Sequence, residues 1–281
     1  MELDSEVCAR IDRTLQAWRQ GDCVVGEQWF VFRTDLDGPL TEAGLVAASE
    51  GVDTAETEVR GFMIATQTCD IVRACGARPF VEVCPLVEVD EVVLREVERG
   101  RRPNYAYVPG LVESQLVADL DRVMTVEKSV VAGWKRTAGC QTESDIRRLS
   151  LMLARKRARA AFPDDFVVFA TPLMNRMSSK HDKESDEGRA LRALHEIRVR
   201  AEPSWGAQRV KLVFWFIRKE NEPTFEKQGW DSFLVAWEKR IPSSGRFVEV
   251  QALVQTLEDL TAKEYVESDP LDLDHLTTRQ A

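Results

Sequence analysis

Apolar side chains near the start of the chain fall at Val7, Ile11, Leu15 and Trp18, on one face of a 3.6-residue period, which predicts a helix over 4–20. Gly21-Asp22 ends it. The pattern then changes to short runs rich in β-branched and aromatic residues: "CVVGEQWFVFRTD" (23–35, broken at Gly26), "FMIAT" (62–66) and "FVEVCPLVEV" (80–89), all read as strands. Between the first two runs, residues 34–58 are turn-rich and acidic and read as one long exposed loop. "EVERGRRPNYAYVPG" (96–110) reads as a loop leading into a further short strand, and "LVADLDRVMTVEKSVVAGW" (116–134) as strand, turn and a short helix from about Thr125. Five or six short strands with little helix between them predict a small barrel or sandwich.

Helical periodicity returns near residue 141. In "TESDIRRLSLMLARKRARAAF" (142–162) Thr142 or Ser144 caps the helix, and Ile146, Leu149, Leu153 and Ala160 share one face. Arg148, Arg155 and Arg159 share another. Pro163 stops this helix, and a second one is expected over 164–177, with a polar loop at 178–188 after it. "EIRVRA" and "RVKLVFWFIRK" read as strands joined by a turn at Pro203-Ser204-Trp205-Gly206. Trp230, Phe233, Leu234 and Trp237 mark an amphipathic helix, "RFVEVQALV" a returning strand, and Thr261 with Glu264 a capping box. The reading is an α+β protein of two domains: a helix plus a β-barrel over 1–140, and over 141–281 two helices, the first of them basic, followed by a β-β-α-β unit.

Bulk composition narrows the classes. With 281 residues, 44% hydrophobic and 30% charged, the chain has the mix of a globular protein. No apolar run approaches the ~20 residues that span a bilayer, and the first residues lack an apolar secretory core, so a cytoplasmic protein without a membrane partner is expected. A net charge of −9 excludes wholesale wrapping by nucleic acid but leaves room for a local patch. Such a patch exists: Arg147 to Arg159 holds six Lys or Arg and no acid. The six cysteines (8, 23, 69, 75, 84 and 140) contain no CxxC, which argues for free thiols and against a metal site. No cofactor is expected.

The order of signals in the first half resembles a known family. "GDCVV" is similar to the opening strand of PemK/MazF-type toxin barrels, which are SH3-like. "RGFMIATQTCDI" resembles their next strand, "RPFVEVCPL" the one after it, and "LVADLDRVMTVEKSVV" their closing strand, turn and short helix. The resemblance covers about residues 21–134 and implies an SH3-like barrel. It also implies a bacterial toxin or phage-defence setting and an endoribonuclease ancestry. In that family cleavage depends on an Arg near the first aliphatic strand and a Thr or Ser at the end of the next. Arg60 stands at the first position, but Leu86 occupies the second, and the nearest hydroxyls are Thr66 and Thr68. No family is recognised in residues 141–281.

Three functional classes follow. The leading one is a non-catalytic or weakly catalytic adaptor that engages nucleic acid (RNA or DNA) or a protein partner through Arg148, Arg155 and Arg159. The second is a divergent endoribonuclease using Arg60 with Thr66 or Thr68. The third is a hydrolase with Cys69 as nucleophile beside Asp70, a pair more simply read as a packed thiol and a turn-closing carboxylate. The histidines that such a nucleophile would need, His181, His195 and His275, are all remote in sequence. The charged run Lys180-His181-Asp182-Lys183 reads as a solvated cluster.

Overall fold

A computed structural model describes residues 5–100, 102–158, 162–220 and 223–271. The chain forms two compact units that divide between Ala158 and Arg159. Its class is α+β, as the sequence pattern predicts.

The first unit runs α1 (Ser5–Leu15), β1 (Cys23–Arg33), α2 (Glu42–Ser49), β2 (Thr54–Ile64), α3 (Thr68–Ile71), β3 (Phe80–Glu88) and α4 (Glu91–Glu98). It continues with β4 (Tyr105–Ala106), a 3-10 turn at Pro109–Ser114, β5 (Leu116–Asp119), β6 (Met124–Glu127), α5 (Lys128–Ala132) and α6 (Glu143–Arg157). The strands form one antiparallel sheet in the order β1-β2-β3-β5-β4, with β6 also on β3. The strand β3 forks. Its first half, Phe80–Val83, pairs with β6, and its second half, Leu86–Glu88, pairs with β5.

The expected closed barrel is not present. The sheet curls until the Val31 N–H meets Met124 Sδ at 3.3 Å, yet no ladder joins β1 to β6 among the described residues. The four residues of β6 pair with the first half of β3, and β6 meets β1 through this sulfur contact rather than a ladder, so the seam stays open.

Both faces of this sheet are covered, which explains why its strands read as unbroken apolar runs rather than alternating ones. Phe62, Ile64, Val81 and Val83 face a cluster with Leu15, Trp18, Ile71 and Val131, from α1, the turn after it, α3 and α5. Met63, Ala65, Cys84 and Leu86 face the opposite cluster, completed by Leu149 of α6. Leu149 has no exposed surface, so α6 is part of the first unit. The helix carrying the basic stripe therefore precedes the domain division, not the reverse as the composition change at 141 suggests. Its N-terminus is fixed by a capping box in which Thr142 Oγ accepts from the Asp145 N–H at 3.1 Å and Asp145 reaches back to the Thr142 N–H at 2.9 Å.

Two loops expected from polarity are structured. Residues 34–58 hold α2, capped by Thr41 Oγ accepting from the Gly44 N–H at 3.0 Å, and the first half of β2. The segment 96–110, expected to be a loop, begins inside α4 (Glu91–Glu98), where Asp90 caps Val93 at 2.8 Å and Val97 is fully buried. In both, an N-cap decides the local structure and the surrounding charges only describe the exposed face.

The second unit runs α7 (Asp164–His181), α8 (Asp186–Ala193), β7 (Leu194–Glu202), β8 (Val210–Arg218), α9 (Trp230–Glu238), β9 (Phe247–Gln255), α10 (Ala262–Val266) and β10 (Asp269–Pro270). The β-β-α-β order is as read from the sequence, and β8 and β9 are parallel across the α9 crossover. Sheet order is β10-β7-β8-β9. Phe166, Ala170, Leu173, Met174 and Met177 line one face of α7 and pack on Val199, Leu212, Phe214 and Phe216. The polar segment read as a loop at 178–188 instead contains the end of α7 and the start of α8. The capping box at Thr261 and Glu264 is present.

Candidate functional site

A cleft of about 650 Å³ opens in the first unit beside the first half of β3, the part paired with β6. Its walls come from three places: the end of β2 with the turn into α3, the start of β3 with β6 beside it, and the last turns of α6. It gathers Thr66, Gln67 and Asp70 from the first, Arg78, Phe80, Glu82 and Thr125 from the second, and Ser150 and Arg157 from the third. Gln20 closes the base. Its amide donates to the Ala65 carbonyl at 2.8 Å and accepts from Ser150 Oγ at 3.1 Å, and its backbone N–H donates to Thr68 Oγ at 3.1 Å.

Among the described residues, the charged side chains lining the cleft are two cations and two acids. Arg157 pairs with Glu82 at 2.6 Å, while Asp70 lies 3.4 Å from Arg73. Arg78 has no ion pair or side-chain hydrogen bond among the described residues. Phe80 keeps 56% of its surface exposed despite its place in a strand, and it lines the cleft.

The structure brings some of the sequence-derived site residues together and separates others. Thr66 and Asp70 line the cleft. Thr66 Oγ accepts the Glu82 N–H at 2.6 Å, which ties the end of β2 to β3. Thr68 opens α3 and its hydroxyl accepts from Gln20. Cys69 is exposed, with Gln67 Oε1 at 3.7 Å as its hydrogen-bond partner. The first unit contains no histidine at all to serve that thiol as a base. Arg60 lies outside the cleft, on the exposed face of β2, 3.8 Å from Glu88. Leu86, at the position where the toxin family places a hydroxyl, is fully buried under α6.

The basic stripe of α6 is largely engaged within its own unit. Arg147 pairs with Glu143 at 3.1 Å, Lys156 with Asp121, and Arg155 donates to the Gly100 carbonyl. Arg148 stacks its guanidinium over Tyr107 at 5.2 Å. Arg159 and Ala160 lie outside the described residues, as does His275.

A feature that sequence reading missed supports the α3 wall. Lys128, at the start of α5, is 1% exposed and donates to the Asp70 carbonyl at 2.9 Å and the Arg73 carbonyl at 2.6 Å. Burial pushes its pKa below the ordinary lysine value. Four thiols are shifted the other way. Burial pushes Cys84 up to about 12 and Cys75 and Cys140 up to about 11, and it raises Cys23 well above its ordinary value. Among the described residues no three His, Cys, Asp or Glu side chains are placed to hold a metal ion, and no helix is long and apolar enough to cross a membrane.

No family model, no curated protein and no solved structure matches this chain. The likeness to PemK/MazF-type toxins rests on the motifs quoted above.

Proposed function

We propose that the protein is a non-catalytic binding component whose first-unit cleft engages single-stranded nucleic acid. The observation that carries this is the combination of an exposed aromatic ring, Phe80, with two guanidinium groups, Arg78 and Arg157, around one cleft of about 650 Å³. A single strand is bound by base stacking on an aromatic face together with cations that follow the phosphates. The amides of Gln20 and Gln67 and the hydroxyls of Thr125 and Ser150 add hydrogen-bonding groups suited to base edges or sugars. The sheet is read as an opened relative of the PemK/MazF-type SH3-like barrel, serving a bacterial toxin or phage-defence system in a binding role.

Two observations favour binding over cleavage. Arg60 is paired with Glu88 outside the cleft, and the second family position is the buried Leu86. In this reading the α6 arginines act mainly through Arg157, with Arg148 and Arg155 holding the helix in place.

The test is fluorescence anisotropy with a labelled single-stranded RNA at low salt, with the same samples run on a denaturing gel. Saturable binding is expected, with the shallow salt dependence of about two phosphate contacts, intact RNA, and at least tenfold weakening in an Arg78→Gln/Arg157→Gln double variant. Phe80→Ala is expected to weaken binding by roughly tenfold, the loss of one stacked base. Binding unchanged in both variants refutes the reading. Cleavage that disappears in Arg60→Ala installs the endoribonuclease reading instead.

A further inference from the structure

We infer that Glu82 is a built-in competitor for the cleft's ligand, occupying Arg157 until a phosphate of the nucleic acid displaces it; this rests on the reading of the cleft given above. The two cations of the cleft are held differently. Arg78 has no partner among the described residues, whereas Arg157 Nη2 sits 2.6 Å from Glu82 Oε2. Of the α6 cations, Arg157 is the one that lines the cleft.

The pair is built to exchange. Its side chains are 58% and 42% exposed, so water competes for both partners and their separation is cheap. The Glu82 backbone, by contrast, is clamped. Its N–H donates to Thr66 Oγ at 2.6 Å, its carbonyl accepts from the Ala65 N–H at 2.9 Å, and it lies opposite Thr125 in the β3–β6 ladder. The carboxylate is thus presented to Arg157 by a fixed main chain, and the strand does not depend on the charge.

The exchange involves no covalent change and no proton. The Arg157–Glu82 contact breaks, an Arg157–phosphate contact forms, and the Glu82 carboxylate is released to water. Charge bookkeeping gives the consequence. Among the described lining residues, Asp70 and Glu82 balance Arg78 and Arg157, so they offer an entering phosphate little net attraction. Neutralising Glu82 leaves one net positive charge and removes the rival for Arg157. Glu82 therefore lowers affinity for short anionic strands and favours ligands that also engage Phe80 and Arg78.

The experiment measures the same labelled RNA against Glu82→Gln, Arg157→Gln and the double variant of the full chain, with thermal unfolding as a folding check. Glu82→Gln is expected to melt with the wild type and to bind roughly threefold more tightly or better, the scale of releasing one exposed ion pair. That gain is expected to vanish in the Arg157→Gln background. If Glu82→Gln binds no tighter while Arg157→Gln weakens binding, the competitor role is overturned and the cleft reading stands. A gain that persists without Arg157 also overturns it, because the effect is then a general field. Binding seen only in Glu82→Gln supports it, and absence of binding in every variant overturns both readings.

Discussion

Replacing Lys128 by methionine tests the support beneath the cleft. The methionine keeps the length and apolar stem of the lysine but removes the donors that the Asp70 and Arg73 carbonyls receive at 2.9 and 2.6 Å. Both bonds are only part-buried, so each carbonyl left without its donor costs at most about 1–3 kcal/mol. Two would cost at most about 2–6 kcal/mol, and relief from burying a charge offsets part of that. The net expectation is a loss of about 2–3 kcal/mol, which lowers the melting temperature of a unit this size by about 5–10 °C. Calorimetry on the full chain reads it.

The pH dependence adds a second check with a definite sign. The lowered pKa of Lys128 means that, between this pKa and the ordinary 10.5, the unfolded chain binds more protons than the folded one. Stability from this group therefore rises with pH through that window and is lost as pH falls through the folded pKa. The margin of wild type over Lys128→Met is expected to widen between neutral pH and pH 10.5. The neutral amine keeps two N–H groups, enough for both carbonyls, so alkalinity removes the cost of the buried charge without losing the hydrogen bonds. Melting of the variant within about 1 °C of wild type, or a margin that narrows with pH, would refute the argument.

Two further outcomes are expected. Gly61 has φ +136°, and a Cβ there would lie 2.1 Å from the Val24 carbonyl oxygen, so Gly61→Ala should destabilise the first unit by at least about 2 kcal/mol in a urea titration. A variant as stable as wild type would mean that the β1–β2 pairing is not as tight as described. At pH 8 a thiol-specific dye should label exposed Cys69 rapidly, while Cys23, Cys75 and Cys84, protonated and buried, react only after unfolding; fast native labelling of any of these three would contradict their environment.

The sequence by itself determined the elements whose signal is local. Periodicity marked the first helix, though it ends at Leu15 and leaves Trp18 in the turn after it, and the helix at Trp230–Trp237; capping chemistry marked the starts of α6 and α10, and the β-β-α-β order of the second half followed from strand-length apolar runs. Local signals failed where one residue outweighed its neighbours. Asp90 starts a helix that runs into the segment read as a loop from residue 96, and Thr41 starts one inside an acidic segment. Only the tertiary structure decided that the sheet stays open, because closure depends on the pairing of β1 and β6, a relation between segments some 90 residues apart.

The cleft belongs to the same category. Gln20, Thr66, Arg78, Phe80, Glu82 and Arg157 carry no common motif and become a site only because β2, the start of β3 and α6, packed on the sheet through Leu149, meet there. The basic stripe was legible as charge, but its partners Glu82, Asp121 and Gly100 lie 35 to 75 positions away. Charge can be counted along a chain, whereas whether a cation is spent on its own protein or kept for a ligand depends on which acids folding brings within reach.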